Sequence, residues 1–404
     1  MIKIIDAKRT AIGKFLGSFY EADCATICTD LAKALYDSAR INPHDINLAI
    51  FGNVISAGLG QGIARKISVN SGMKIESPAY VTSMVCGSGM QAIINACNEI
   101  KLGSNLVLAG GFEFMSNIPY ATDTYLRLGK KFGDFNMVDL MTHDGLHDSF
   151  SGVHMGITAE NIAKDLCITR EEQDSYAYIA HQRALKAVNE DYFKTEIVPI
   201  HLKDYKNNDF VFEKDEFPNP KSTPENLAKL KPSFLKDGTG TVTAGNTSGI
   251  NDGAAFLLLA SDDYCLKNGI ESEIEIVDYV TVGCDPQKMG LGPFFAIKEL
   301  LSKTKLSFTD IDVFEINEAF AAQVLGCFKL LEEEYRVDEK YIIDRTNVHG
   351  SGLGLGHPLG CTGARLIVTL YHHMIKNSEC KYGIASLCVG GGMGVAVLLK
   401  RNGK

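Results

Sequence analysis

The chain has 404 residues, is 45% hydrophobic and 22% charged, and carries a formal net charge of −9. That length suits two or three domains with large buried cores. No run of five Lys or Arg occurs, which sets nucleic acid aside as a partner. The longest apolar stretch, around Ala254–Ala260, falls far short of the ~20 residues that cross a bilayer, so no membrane association is expected.

The opening M-I-K-I-I-D meets an aspartate at once, has no secretory core, and reads as a first strand in a cytoplasmic protein. Leu31, Ala34 and Leu35 mark an amphipathic helix. A polar turn ending in Asp45-Ile46 follows, then a short strand at Leu48–Phe51. Tyr80–Val85 is β-prone, and Ser88–Ala92 opens a helix that leads to the apolar strand Leu106–Ala109 and Gly110-Gly111. From about Ser116 to Asn246 the chain is richer in charge and aromatics. Thr158–Asp165 and Arg170–Asn189 read as helices there, and the polar, proline-bearing 204–232 reads as surface loop. Then the first pattern returns. Ile297, Leu300 and Leu301 mark a helix, Asp310-Ile311 the turn, and Val313–Ile316 the strand. Thr362–Leu366 opens a further helix ahead of Ile384–Cys388 and Gly390–Gly392. Alternating helix and buried strand argues α/β architecture, here a duplicated domain with one insertion. The expected units are 1–116 with 247–271, the insertion 117–246, and 272–404.

Eleven cysteines occur, with no C-x-x-C. Most read as small buried hydrophobes without disulfides, Cys24 and Cys28 included. Cys86, in V-C-G-S-G, sits at a strand-to-helix turn, where the positive end of a helix favours thiolate. From these residues alone, nucleophile and buried structural cysteine stand equal. A dinucleotide loop, G-x-G-x-x-A from Gly87 to Ala92, is disfavoured, because no acidic residue follows about 20 positions on. The stretch 347–365 is dense in glycine with two histidines, so it reads as a shaped loop. His357, before a proline, is an acid/base candidate or a residue capping its own loop. Cys388 precedes three glycines whose amides could face an anion, although a plain strand-end cysteine reads as well. Asn317 and Glu318 end a buried strand, where α/β sheets bind ligands, or Asn317 caps the next helix. A-G-N-T-S at 244–248 formally matches a glycosylation acceptor, set aside in a chain without a secretory signal.

Together these motifs resemble the thiolase family over essentially the whole chain. V-C-G-S-G-M, G-G-F-E-F-M-S, H-M-G-I-T-A-E-N, A-G-N-T-S-G-I-N-D-G-A, N-E-A-F-A, N-V-H-G-S-G-L-G-L-G-H-P-L-G and C-V-G-G-G-M-G occur in the family's order. The run from Gly133 to Gly156 is most similar to the acetoacetyl-CoA thiolase branch, also called acetyl-CoA C-acetyltransferase. The resemblance implies a five-layered α-β-α-β-α fold with an inserted loop domain, and reversible Claisen condensation of two acetyl-CoA to acetoacetyl-CoA and CoA. It implies Cys86 as nucleophile, His357 as its base, and Cys388 as the acid/base at the α-carbon. Asn317 would hold a water that shares one oxyanion hole with His357, and the amides of Cys86 and Gly390 would form the other. Leu146, His154, Met155, Ser248, Met289, Ala319 and Phe320 would line the coenzyme A tunnel. Lys221 would replace a basic phosphate contact that is displaced around 218–221, and the run from Asp237 is longer than usual. No cofactor or metal is implied, since the CoA thioesters are substrates, and the expected assembly is a homotetramer, a dimer of dimers. A long-chain 3-ketoacyl-CoA thiolase is the alternative. A decarboxylating ketoacyl synthase, which would place histidine at 388, and a non-catalytic carrier are less favoured.

Overall fold

The computed structural model describes residues 1–204 and 206–402. Tyr205, inside the expected surface loop, and residues 403–404, at the end of the expected second half, lie outside the described residues. Nine strands carry the architecture: β1 (Ile2–Arg9), β2 (Leu48–Gly52), β3 (Ala79–Thr82), β4 (Leu106–Phe114), β5 (Asn251–Ser261), β6 (Ile274–Gly283), β7 (Val313–Ile316), β8 (Tyr382–Val389) and β9 (Met393–Arg401). They run in the order β7-β8-β9-β6-β1-β5-β4-β2-β3, and a two-residue strand at Gly13–Lys14 pairs with β5 as the tenth. In each half one short strand pairs in parallel with the strand of the helix after it: β2 with β4, β7 with β8. Antiparallel neighbours complete each half, β5 and β1 in one, β9 and β6 in the other. The repeat seen in the sequence is thus a repeat of topology. The two half-sheets are joined by antiparallel pairing of β1 with β6, Ile2 opposite Ile276 and Ile4 opposite Ile274.

The helices include α1 (Cys24–Ala39), α2 (Ile63–Asn70), α3 (Ser88–Lys101), α4 (Met155–Asp165), α5 (Arg170–Asn189), α6 (Gly292–Thr304), α7 (Ala321–Tyr335) and α8 (Leu359–Lys376). Apart from β3 and much of β6, the strands are buried on both faces, and side chains alternate between two cores. On β5, Ala255, Leu257 and Leu259 face a central core with α3 and α8, while Phe256 and Leu258 face an outer core with α1 and α2. On β9, Val395, Val397 and Leu399 join the central core, and Ala396 and Leu398 face α6 and α7. Read across, this gives helix, sheet, helix, sheet, helix. The fold class expected from the motifs holds.

Between β4 and β5 the chain carries two small hairpins, Tyr120–Thr122 with Met137–Asp139 and Ile200–Lys203 with Asp209–Phe212, as well as α4 and α5. The segment 204–232 is not all surface. Asp215 is buried and meets the Arg9 guanidinium through two hydrogen bonds of 2.7 and 2.9 Å, and Arg9 also holds Glu196 at 2.6 Å. This buried charge cluster fixes the segment to the end of β1, a role that polar composition alone concealed. Among the described residues no helix is long and apolar enough to cross a membrane.

Candidate active site

Cys86 lies between β3 and α3, and the turn is tight. Val85, which is β-branched, takes a φ of 44°, a left-handed conformation such residues rarely adopt. Ser88 locks the turn. Its hydroxyl donates to the Val85 carbonyl at 2.6 Å and accepts from the Met84 amide at 2.8 Å. The strain therefore aims the Cys86 side chain off the start of α3.

The second glycine after Cys86 makes room for backbone, and the first for the Met84 and Val389 side chains. A Cβ at Gly89 would stand 2.6 Å from the Gly360 carbonyl oxygen and 3.0 Å from the Ala364 amide nitrogen. A Cβ at Gly363 would stand 2.6 Å from the Met90 nitrogen. Helices α3 and α8 thus cross backbone to backbone at their first turns. That crossing brings Cys86 of the first half to His357 of the second. It also revises the expected loop at 347–365, of which Gly352–Leu355 is a short helical turn and 359–365 the start of α8.

His357 is 4% exposed, and its tautomer can be read from its partners. The single hydroxyl proton of Thr362 is given to the Pro358 carbonyl at 2.9 Å. Thr362 Oγ1, 2.6 Å from His357 Nδ1, must therefore accept, so Nδ1 carries the proton. Nε2, unprotonated, accepts from the Asn317 side-chain nitrogen at 3.3 Å. Asn317 Oδ1 is buried and has no hydrogen-bond partner among the described residues. Asn317 does not cap α7, whose N-cap is Phe320, so that alternative falls. Glu318 is an anchor. Its carboxylate accepts from Tyr176 and Asn347, each at 2.8 Å, and from the Leu353 amide at 3.2 Å. Asn347 in turn meets the amide and carbonyl of Ile316 at 2.8 and 2.7 Å, which ties the histidine segment to the end of β7.

Cys388 ends β8 and is 1% exposed, and the turn beyond it uses Gly391 and Gly392, both at a φ of +83°. Burial pushes the Cys86 thiol up to about 11, against the opposing pull of the Gly390 amide and its own amide. Burial, and then the neighbouring thiols of Cys86, Cys327 and Cys284, hold Cys388 well above the ordinary thiol range. Burial drives His357 down to about 3, helped by the Arg365 charge. Near neutral pH, thiols and imidazole are therefore all uncharged at rest. The helix N-terminus is worth roughly 0.3–1 kcal/mol to a thiolate, too little to reverse that burial.

Cys86, His357 and Cys388 line one cavity of about 370 Å³. Leu146, His154, Met155 and Ser248 share its wall, as do Met289, Ala319 and Phe320. Gly390 instead lines a neighbouring cavity with Val85 and Met155, its amide turned towards the Cys86 sulfur. Asn317 stands behind His357, outside the wall. Lys221 is exposed and is not part of the cavity.

Two kinds of residue escaped the sequence reading. Phe234 also lines the cavity, stacked on His154 at 4.6 Å between ring centroids and edge-on to Phe320 at 6.2 Å. Its only signal was an aromatic residue in a stretch otherwise polar. Thr362 reads in the sequence only as a helix start, and its place one turn after His357 is the available clue.

A model described as the thiolase N-terminal domain matches residues 2–263, and one described as the thiolase C-terminal domain matches residues 270–401. The acetyl-CoA acetyltransferase of Chromobacterium violaceum is 41% identical over 401 residues, 99% of each chain. The crystal structure of the Bacillus anthracis acetyl-CoA acetyltransferase superposes with a TM-score of 0.92 at 41% identity, covering 99% of this chain and 98% of that one. That of human mitochondrial 3-ketoacyl-CoA thiolase gives 0.92 at 38% identity, covering 100% and 99%.

Proposed function

The chain belongs to the thiolase family, and on that premise we propose that it is an acetyl-CoA C-acetyltransferase, an enzyme that joins two acetyl-CoA reversibly into acetoacetyl-CoA and CoA. The observation that carries the reading is the convergence of Cys86, His357 and Cys388 on one cavity, with Nε2 as the proton-accepting nitrogen of His357.

In the first half-reaction the Cys86 sulfur adds to the thioester carbonyl of acetyl-CoA, and His357 Nε2 takes its proton. The C–S bond to CoA breaks, and the departing thiolate takes the Cys388 proton. Acetyl-Cys86, a protonated His357 and a Cys388 thiolate remain. The Cys388 thiolate then removes an α-proton from a second acetyl-CoA, whose carbanion attacks acetyl-Cys86. As that C–S bond breaks, Cys86 recovers its proton from His357, so every proton is returned. The elevated proton affinity of Cys388 supports this part, because a weak acid makes a strong base once ionised. Each oxyanion needs donors set in advance, each worth about 3–4 kcal/mol in comparable acyl-transfer sites. The Gly390 amide facing Cys86 supports one such hole. The unpartnered Asn317 Oδ1 leaves an acceptor for a water, which supports the other.

The apolar wall of Met155, Met289 and Phe234 suits a pantetheine arm. Lys221, exposed outside that wall, is the proposed contact for the CoA phosphate. Exposed apolar side chains on the first hairpin arm, Phe132 at 95% and Leu128 at 80%, support burial in a homotetramer. Eleven free cysteines support a reducing, cytoplasmic setting.

The test combines two variants with a substrate series. Cys86→Ala is expected to abolish acetyl-enzyme formation, and Cys388→Ala to spare acetylation far more than condensation. Cleavage of acetoacetyl-CoA by both variants near the parental rate would overturn the assignment. The likeness to the human 3-ketoacyl-CoA thiolase favours a second reading, a broader chain-length range. Thiolysis rates rising from four-carbon to longer 3-ketoacyl-CoA substrates would select it.

A further inference from the structure

Beneath the catalytic turn lies a carboxylate that this mechanism does not use. Glu113, on β4, is 1% exposed. Its Oε1 accepts from the Asn53 side chain at 2.9 Å and the Ile55 amide at 3.2 Å. Its Oε2 accepts from the Val54 amide at 2.8 Å and the Gly360 amide at 2.9 Å. A buried carboxylate is costly unless its lone pairs are met by donors. A glutamine of the same shape has only one acceptor oxygen, whereas this site presents donors to two.

The donors come from both halves of the molecule. Asn53, Val54 and Ile55 follow β2 in the first half. Gly360 begins α8 in the second, between His357 and Thr362. A Cβ at Gly360 would stand 2.5 Å from Glu113 Oε2, so only glycine admits the carboxylate. We infer that Glu113 is a positioning residue for acyl transfer: one oxygen holds the first turn of α8, and with it the His357–Thr362 pair, while both hold the segment after β2, whose Gly52 packs on the Ser88 backbone beside Cys86. The inference rests on the roles proposed above for Cys86 and His357.

A pH profile separates this role from a merely structural one. Burial pushes Glu113 up to about 7, against the amides of Val54, Ile55 and Gly360 and the Asn53 side chain. The titratable groups facing it are the Cys86 and Cys361 thiols, raised by burial to about 11 and about 12, and β5 presents the backbone of Gly253. With His357 at about 3, neither member of the proposed catalytic pair titrates near neutrality. Above about 7 the carboxylate accepts all four bonds. Below it, one oxygen carries a proton that points at an N–H donor. Activity is therefore expected to fall on the acid side of about 7 because of Glu113.

Thiolysis of acetoacetyl-CoA by the full-length protein tests this. Glu113→Gln is expected to lower kcat roughly tenfold or more with KM within about twofold, and to remove the acid limb. Asn53→Ala deletes one donor to the charged form, so the limb should move to higher pH. Parental kcat and an unchanged limb in Glu113→Gln would overturn the inference. So would an unmoved limb in Asn53→Ala, which also decides the case where Glu113→Gln does not fold. Cys86→Ala run in parallel keeps the two levels apart. If it is dead and Glu113→Gln is normal, only the positioning role fails. If Cys86→Ala turns over, the reading of the nucleophile fails instead.

Discussion

Thr362→Val is the sharpest probe of the proposed base, because valine keeps the shape of threonine and deletes only the hydroxyl. In the parent, that hydroxyl accepts from His357 Nδ1 at 2.6 Å and donates to Pro358 at 2.9 Å. In the variant the ring has two poor choices. It can keep the proton on Nδ1, leaving a buried donor without a partner at a cost of about 1–3 kcal/mol. Or it can move the proton to Nε2, where it would point at the Asn317 side-chain nitrogen 3.3 Å away. The first choice loosens the ring and the second removes the base. At about 1.4 kcal/mol per decade, kcat/KM should fall roughly 10- to 100-fold. The assay is thiolysis of acetoacetyl-CoA followed at the enolate absorbance, with Thr362→Ser as the variant that restores the hydroxyl and most of the rate. Chemical unfolding guards against a collapsed helix start. A folded Thr362→Val enzyme within twofold of parental kcat/KM would refute the tautomer argument.

Gly89→Ala should destabilise the protein by about 2–3 kcal/mol, because the new Cβ meets the backbone of Gly360 and Ala364, which cannot rotate away. An unchanged urea midpoint would show that the α3–α8 crossing is looser than described. His181 gives a pH-dependent test of stability. It is buried on α5 with its Nδ1 unpartnered among the described residues, and burial lowers it to about 4. Its folded value lies below its unfolded one, so its contribution is full above about pH 6.5 and is lost as pH falls towards 4. The loss is on the order of 3 kcal/mol. His181→Leu should therefore flatten the acid side of the stability curve, and parallel curves for parent and variant would count against this.

What the sequence displayed were features repeated or contained within a short window. The Asp-Ile turns at 45–46 and 310–311 each precede a strand of the parallel pair, so the duplication could be read from spacing alone. The lining residues came with their motifs, and all seven share the wall of the cavity that holds Cys86. What was hidden depends on contacts between distant positions. The bond from Gly360 to Glu113 spans 247 residues, and nothing near Glu113 marks it as buried against a loop of the other half. The same holds for Asp215, which looks like one more acidic residue of a surface segment until Arg9 is placed beside it. The glycines are ambiguous for a related reason. A glycine that admits a ligand and one that admits another helix look alike in sequence, and at Gly89 and Gly363 the neighbour is a helix.

The duplication also explains why the chemistry is divided as proposed. Each half supplies one cysteine near the central helix pair, Cys86 in the turn ahead of α3 and Cys388 near the end of β8. A single half could offer a nucleophile or an α-carbon base, but condensation needs both within reach of one thioester. Packing α3 against α8 through glycine puts them there, and the same contact seats His357 beside Cys86. The cost is a buried interface crowded with polar groups, which must stay hydrogen-bonded to remain folded. Thr362, Glu318 and Glu113 meet that demand from three directions, each satisfying backbone, amide or ring donors of the histidine segment. The groups proposed to do chemistry and those that secure the interface are therefore neighbours by necessity. A substitution at any of these three positions should alter turnover before it alters the overall fold.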